Sequence, residues 1–112
     1  MDNCVFCKIS LGGKKEEIIY DDEKILVVTD VNPRTPIHLL IIPKIHYFDY
    51  SEMMETNPSL LTEIGSVIQK LIIKFNLKNQ PHAWGFHAGG KQSVNHVHAQ
   101  LLSGMAVNEL VL

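Results

Sequence analysis

The stretch His96-Val97-His98-Ala99-Gln100-Leu101-Leu102 decides how this chain is read. Imidazole, apolar, imidazole, methyl, amide and then two leucines make a period-two pattern, and side chains two apart share one face of a β-strand. Such a strand projects His96, His98 and Gln100 together into one site and sends Val97, Ala99 and Leu101 into the core behind them. On a helix the two histidines would point apart. A solvated strand face is the bland alternative, but paired imidazoles on one face more often serve chemistry, because imidazole gains and loses a proton near neutral pH.

Outward from this stretch, Asn95 to Ser103 reads as a strand and Ala83 to His87 as another, joined by Ala88-Gly89-Gly90-Lys91-Gln92-Ser93. Upstream, Pro33 and Pro36 bracket a turn, after which His38-Leu39-Leu40-Ile41-Ile42 forms a strand stopped by Pro43. Ile18-Ile19-Tyr20, the turn Asp21-Asp22-Glu23 and the run Lys24 to Val31 predict a hairpin. The longest apolar-rich segment, Leu60 to Phe75, predicts an amphipathic helix with Asn57 as N-cap and Pro58 in its first position. Leu60, Leu61, Ile64, Val67, Ile68, Leu71, Ile72 and Phe75 recur at helical spacing and form a stripe for the core or a dimer interface. The expected class is α+β, a five-stranded antiparallel sheet covered on one face by one long helix.

A chain of 112 residues with 46% hydrophobic content predicts a single domain over 1–112 with a modest core. Its net charge of −2 gives no broad attraction to nucleic acid or to an anionic membrane, so phosphate must be held by local groups. Glu63, Gln69, Lys70 and Lys74 interrupt the long helix, which is also too short to span a bilayer. The first residues lack a basic segment followed by an apolar run, and a cytoplasmic, reducing setting is the expectation.

Cys4-Val5-Phe6-Cys7 holds the only two cysteines. A C-x-x-C pair in a reducing compartment is half of a zinc site, a redox dithiol, or two ordinary buried thiols. The redox reading prefers a strand ahead of the pair, and the residues before Cys4 do not supply one. Zinc would need two further ligands from among His38, His46, His82, His87, His96 and His98. The Gly89-Gly90-Lys91-Gln92-Ser93 connection suits a phosphate cradle, since adjacent glycines let backbone N–H groups turn toward one anion and Ser93 adds a hydroxyl. Elsewhere in a chain it would be an ordinary surface turn. Its place directly before the histidine strand gives it meaning.

Taken together, the N-terminal C-x-x-C, the segment Pro36 to His46 and the segment Gly89 to His98 resemble the histidine triad superfamily of nucleotide-binding proteins. The resemblance extends over nearly the whole chain. The family pattern is His-x-His-x-His, and Gln100 stands at its third position, as in the galactose-1-phosphate uridylyltransferase and dinucleoside tetraphosphate phosphorylase branches. A second departure is His87 or Ala88 where the family usually has an asparagine.

The resemblance implies a purine nucleotide or dinucleoside polyphosphate as partner and a nucleotidyl-histidine intermediate on His98, with His96, Gln100 and His38 completing the catalytic group. His98 would be held by a backbone carbonyl and by His38. Gln92 and Ser93 would join His98 and Gln100 around the phosphates, Asp30 would accept the ribose hydroxyls, and Phe6, Ile9 and Val31 would form a slot for the base. One structural zinc per chain would sit on Cys4, Cys7, His46 and His96. A rival ligand set, Cys4, Cys7, His96 and His98, would consume the nucleophile and leave a non-catalytic nucleotide- or zinc-binding interaction module. The family also implies a homodimer with a sheet continuous across the two chains. Finally, an amide donates a hydrogen bond but cannot transfer a proton near neutral pH, so Gln100 favours leaving groups that depart as stable anions.

Overall fold

The computed structural model describes residues 4–10, 17–92, 94–106, 110 and 112, the side chains of 8–10 excepted. The order along the chain is α1 (Val5–Ser10), β1 (Ile18–Asp21), β2 (Ile25–Thr29), β3 (Ile37–Pro43), α2 (Tyr50–Thr56), α3 (Leu60–Lys74), β4 (His82–Phe86) and β5 (Ala99–Ser103). The five strands form one sheet in the order β1-β2-β3-β5-β4, every neighbouring pair antiparallel. The α+β class and the five-stranded antiparallel sheet are as the sequence predicts. Among the described residues, no helix is long and apolar enough to cross a membrane.

Alternation along β3 sorts the core into two layers. Leu39 and Ile41 pack with Ile64, Val67, Ile68 and Leu71 of α3, together with Ile25 and Val27 of β2. Leu40 and Ile42 face the other way and pack with Leu26, Val28 and Phe6 of α1. The long helix thus covers one face, as the sequence predicts, and Phe6 of α1 packs on the other. The helix stripe is a core stripe: Leu60, Ile64, Val67, Ile68 and Leu71 are buried, and Leu61, Ile72 and Phe75 pack against them while part-exposed. α3 ends in a left-handed residue, Asn76 at φ 57°, with Leu77 N–H donating to Ile72 O at 2.8 Å, the bond that closes a Schellman motif.

Three boundaries differ from the sequence reading. Asn57 does not cap α3; it closes α2 by donating to Met53 O, and Ser59 stands at the N-cap of α3. A tight turn over 57–59, in which Leu60 N–H donates to Asn57 O, shifts the helix start by two residues. The second difference is that two short helices, α1 and α2, accompany the one long helix. Asp49 is the N-cap of α2, its carboxylate accepting Glu52 N–H at 3.0 Å, while the Glu52 carboxylate accepts the N–H of the preceding residue, Phe48, at 2.6 Å.

The third difference touches the site directly. β5 starts at Ala99, not Asn95, because the ladder to β3 runs only from Ile37↔Ser103 to Ile41↔Ala99. Val97 N–H is donated to Tyr47 O at 2.7 Å, so it is not available to β3. Pro43 has no N–H to give. His96, Val97 and His98 therefore lie on an irregular lead-in to the strand.

Candidate active site

The lead-in to β5 sends its two histidines to different places. His96 is fully buried, and its Nε2 donates to Pro43 O at 2.7 Å. That bond puts the ring's proton on Nε2 and leaves the Nδ1 lone pair aimed at sulfur, 3.3 Å from Cys4 Sγ and 3.5 Å from Cys7 Sγ. His46 Nδ1 lies 3.3 Å from Cys7 Sγ. The ligand atoms of Cys4, Cys7, His46 and His96 all fall within 4.8 Å of one another and could hold a metal ion.

The three short separations match a tetrahedral ion, since bonds of about 2.0–2.3 Å place the donors about 3.3–3.8 Å apart. The electrostatics fit as well. Burial and the neighbouring Cys4 thiol push the Cys7 thiol up, so Cys7 resists ionising until a cation joins it. Burial also drives the His96 pKa down to about 4, which keeps the imidazole neutral as a metal ligand must be. His98 is not in this cluster, so the rival ligand set that would consume it does not form. His96 belongs to the cluster and not to the cavity beside it, correcting the expectation that His96, His98 and Gln100 enter one site.

His98 lines that cavity, which has a volume of about 400 Å³. Its Nδ1 donates to His96 O at 2.8 Å, so the remaining nitrogen, Nε2, keeps its lone pair. The backbone carbonyl is thus the support the sequence anticipates, whereas His38 is not. Burial, the largest influence, lowers the His98 pKa and favours the neutral, nucleophilic ring. The Phe6 ring meets His98 edge-on with centroids 4.9 Å apart and, with Leu40, gives the cavity an apolar wall.

His38 instead serves Gln100. Arg34 N–H donates to His38 Nδ1 at 3.1 Å, which leaves the proton on Nε2, and Nε2 lies 2.9 Å from Gln100 Oε1. Asp30 Oδ2 is 3.4 Å from the same nitrogen, while Asp30 Oδ1 accepts Asn32 N–H at 2.8 Å. Arg34 Nη2 donates to Gln100 Oε1 at 3.1 Å. With two donors on its oxygen, the Gln100 amide must turn its nitrogen to His87, whose Nδ1 is 3.1 Å away.

Of the residues expected at the nucleotide, Phe6, Asp30, His38, His98 and Gln100 line the cavity. Val31 does not; it is 70% exposed, turned outward at the bend that follows β2. Gln92 does not either, because its amide is spent on Phe48 O at 2.7 Å and Asn95 Oδ1 at 3.3 Å. Ser93 and the Ile9 side chain lie outside the described residues. Gly89 and Gly90 both have positive φ, at 65° and 90°, a backbone that L side chains rarely adopt. The cavity also takes in Asn32 and Arg34, which the sequence reading passed over, and His87 and Lys91, which it named in other roles, as a candidate zinc ligand and as part of the glycine-rich connection. Asn32 and Arg34 lie on the turn between two assigned residues, Asp30 and His38, and that position was the available signal.

Comparison with known proteins bears on this arrangement. A family profile described as scavenger mRNA decapping enzyme C-term binding matches residues 3–108. An uncharacterized HIT-like protein of Chlamydia muridarum is 35% identical over 89% of this chain and 80% of its own length. A bifunctional adenosine 5′-phosphosulfate phosphorylase/adenylylsulfatase of Arabidopsis thaliana is 31% identical over 85% of this chain and 66% of its own. Among solved structures, a HIT family hydrolase from Clostridium thermocellum superposes with a TM-score of 0.88 at 34% identity, covering 94% of this chain and 93% of that one. A zinc-bound histidine triad family protein from Mycobacterium smegmatis gives 0.82 at 27% identity, covering 99% and 81%.

Proposed function

We propose, from the premise that this chain belongs to the histidine triad (HIT) family, that it is a nucleotide hydrolase or nucleotidyltransferase working through a nucleotidyl-histidine on His98. One observation carries the reading. His98 is buried at the wall of a cavity with its Nδ1 proton committed to His96 O, which leaves Nε2 as the nucleophilic atom.

In the first step the Nε2 lone pair forms a bond to the α-phosphorus, and the bond to the leaving group breaks with its electron pair staying on the leaving oxygen. In the second step a water or phosphate oxygen attacks the same phosphorus. The P–N pair returns to Nε2, and with water as acceptor a proton is released to solvent. Phe6 and Leu40 offer the base an apolar wall, and Asp30 faces the ribose hydroxyls. Gln100, pinned by His38 and Arg34, cannot protonate a leaving group, so nucleoside phosphates that leave as anions, dinucleoside polyphosphates among them, are the substrate class. The sulfate-bearing nucleotide named for the Arabidopsis relative has a leaving group of the same character.

Zinc on Cys4, Cys7, His46 and His96 is structural in this reading, because four protein ligands leave no open position for water. The soft thiolate pair and the zinc-bound relative support that ion. A thiol pair kept as metal ligands suits a cytoplasmic location, and one domain spanning 1–112 suffices for the whole site. The direct test incubates the protein with α-labelled diadenosine tetraphosphate, followed by acid and base treatment. Acid-labile, base-stable label on His98 is expected. Turnover with no covalent label at any time point would overturn the intermediate.

A homodimer is part of the proposal. Trp84, 42% exposed, stands on β4, an outer strand of the sheet that pairs on one side only among the described residues. Pairing two copies across this strand would make the sheet continuous. Light scattering at micromolar concentration is expected to give twice the chain mass, and Trp84→Lys is expected to give the single mass. A native monomer would refute the dimer.

A further inference from the structure

We infer that Arg34 is the specificity residue that selects a phosphate-bearing leaving group, an inference that rests on the nucleotidyl-transfer reading above. Arg34 is the only arginine in a chain with ten basic residues, and it stands at the cavity that holds His98. Guanidinium is the cation whose planar fork matches phosphate oxygens in pairs.

Arg34 comes from the turn between β2 and β3, and it is exposed. An exposed arginine ordinarily samples many rotamers. Here Nη2 is tied at 3.1 Å to Gln100 Oε1, an oxygen also held at 2.9 Å from His38 Nε2. Gln100 is a bracket between a buried strand and the guanidinium, and it sits two residues from the nucleophile. Lys91, from the turn between β4 and β5, lines the same cavity and adds a second cation from another loop. Arg34 and Lys91 outweigh the single carboxylate of Asp30 in the cavity lining, so in a chain of net charge −2 this cavity is locally cationic and suits a phosphate-bearing group.

The chemistry at Gln100 points the same way. A leaving group that receives no proton must leave as a stable anion, and the charge it gains develops beside Arg34. The fixed guanidinium is complementary to that charge before substrate arrives. Gln100 acts in this as a positioning residue, through its carbonyl oxygen.

Two probes isolate the leaving group. Diadenosine tetraphosphate and the p-nitrophenyl ester of adenosine 5′-monophosphate present the same adenylyl group and both leave without a proton, but only the first leaves as a phosphate. With Arg34→Gln, kcat/KM for the tetraphosphate is expected to fall about 10- to 100-fold, the worth of a charge-assisted hydrogen bond, with kcat falling as well as KM rising because part of the charge develops only as the leaving group departs. The loss on the p-nitrophenyl ester is expected to be at least tenfold smaller, and Arg34→Lys should fall between native and Arg34→Gln on the tetraphosphate. Melting temperature and metal content serve as checks that the variants fold. Equal losses on both probes would overturn the inference, as would a native protein that cleaves the ester and not the tetraphosphate. A native protein that cleaves neither would overturn the nucleotidyl-transfer reading itself.

Discussion

Removing metal with a chelator, or replacing Cys4 by serine, is expected to lower the melting temperature by about 15 °C. A ligand present at about a thousand times its dissociation constant stabilises the folded state by about 4 kcal/mol. In a domain of about 100 residues each kcal/mol moves the midpoint by roughly 4 °C or more. The site has this leverage because its four ligands come from three parts of the chain: α1, the segment after β3 and the lead-in to β5. α1 has six residues and no acidic residue in its first turn, too little to hold a helix without tertiary support. Loss of the ion would free α1, and Phe6 with it, from the rings of His96 and His98. Nucleotide affinity should therefore weaken along with stability. Elemental analysis of protein purified without chelator should find about one zinc per chain, and none in Cys4→Ser or Cys7→Ser. A metal-free native protein, or an unchanged melting temperature in both variants, would refute the site.

The parts of the fold written in local pattern were legible. The run Leu39 to Ile42 between a proline-bracketed turn and Pro43 is a strand by composition alone, and the α3 stripe has helical period. What failed was decided by contacts distant in sequence. His96-Val97-His98 has the alternation of a strand, but Tyr47 O takes the Val97 N–H and the carbonyl of Pro43 takes the His96 ring. The local pattern misplaced the geometry because both of these partners lie elsewhere in the chain. Arg34 went unread, and His87 was not assigned to the cavity, for a related reason, while Lys91 was named only within its loop. They reach the cavity from two separate turns, and the register that sets Gly85 opposite Gln100 is not written in either strand. The helix start at Asp49 and Glu52 was not read, because the short helix that follows lacks a long apolar stripe.

His98→Asn is expected to lower kcat by about a thousandfold or more and to abolish the covalent label. Removing a nucleophile that forms the intermediate leaves only the binding contributions to rate, and such losses are commonly this large. Asparagine is suited to the test because it is close to imidazole in reach and can still donate to His96 O, so the wall of the cavity keeps its shape. The comparison that matters is with His96, two residues away and equally an imidazole. Its proton is held by Pro43 O and its lone pair faces the two thiols, so it has no atom to offer a phosphorus in the cavity. His96→Asn should therefore lose metal and melting temperature, whereas His98→Asn should keep both and lose turnover. The two variants separate a structural histidine from a chemical one within a single tripeptide. If His98→Asn retained a tenth or more of native turnover, the nucleophile would have to be another group, and the assignment of His98 would fall.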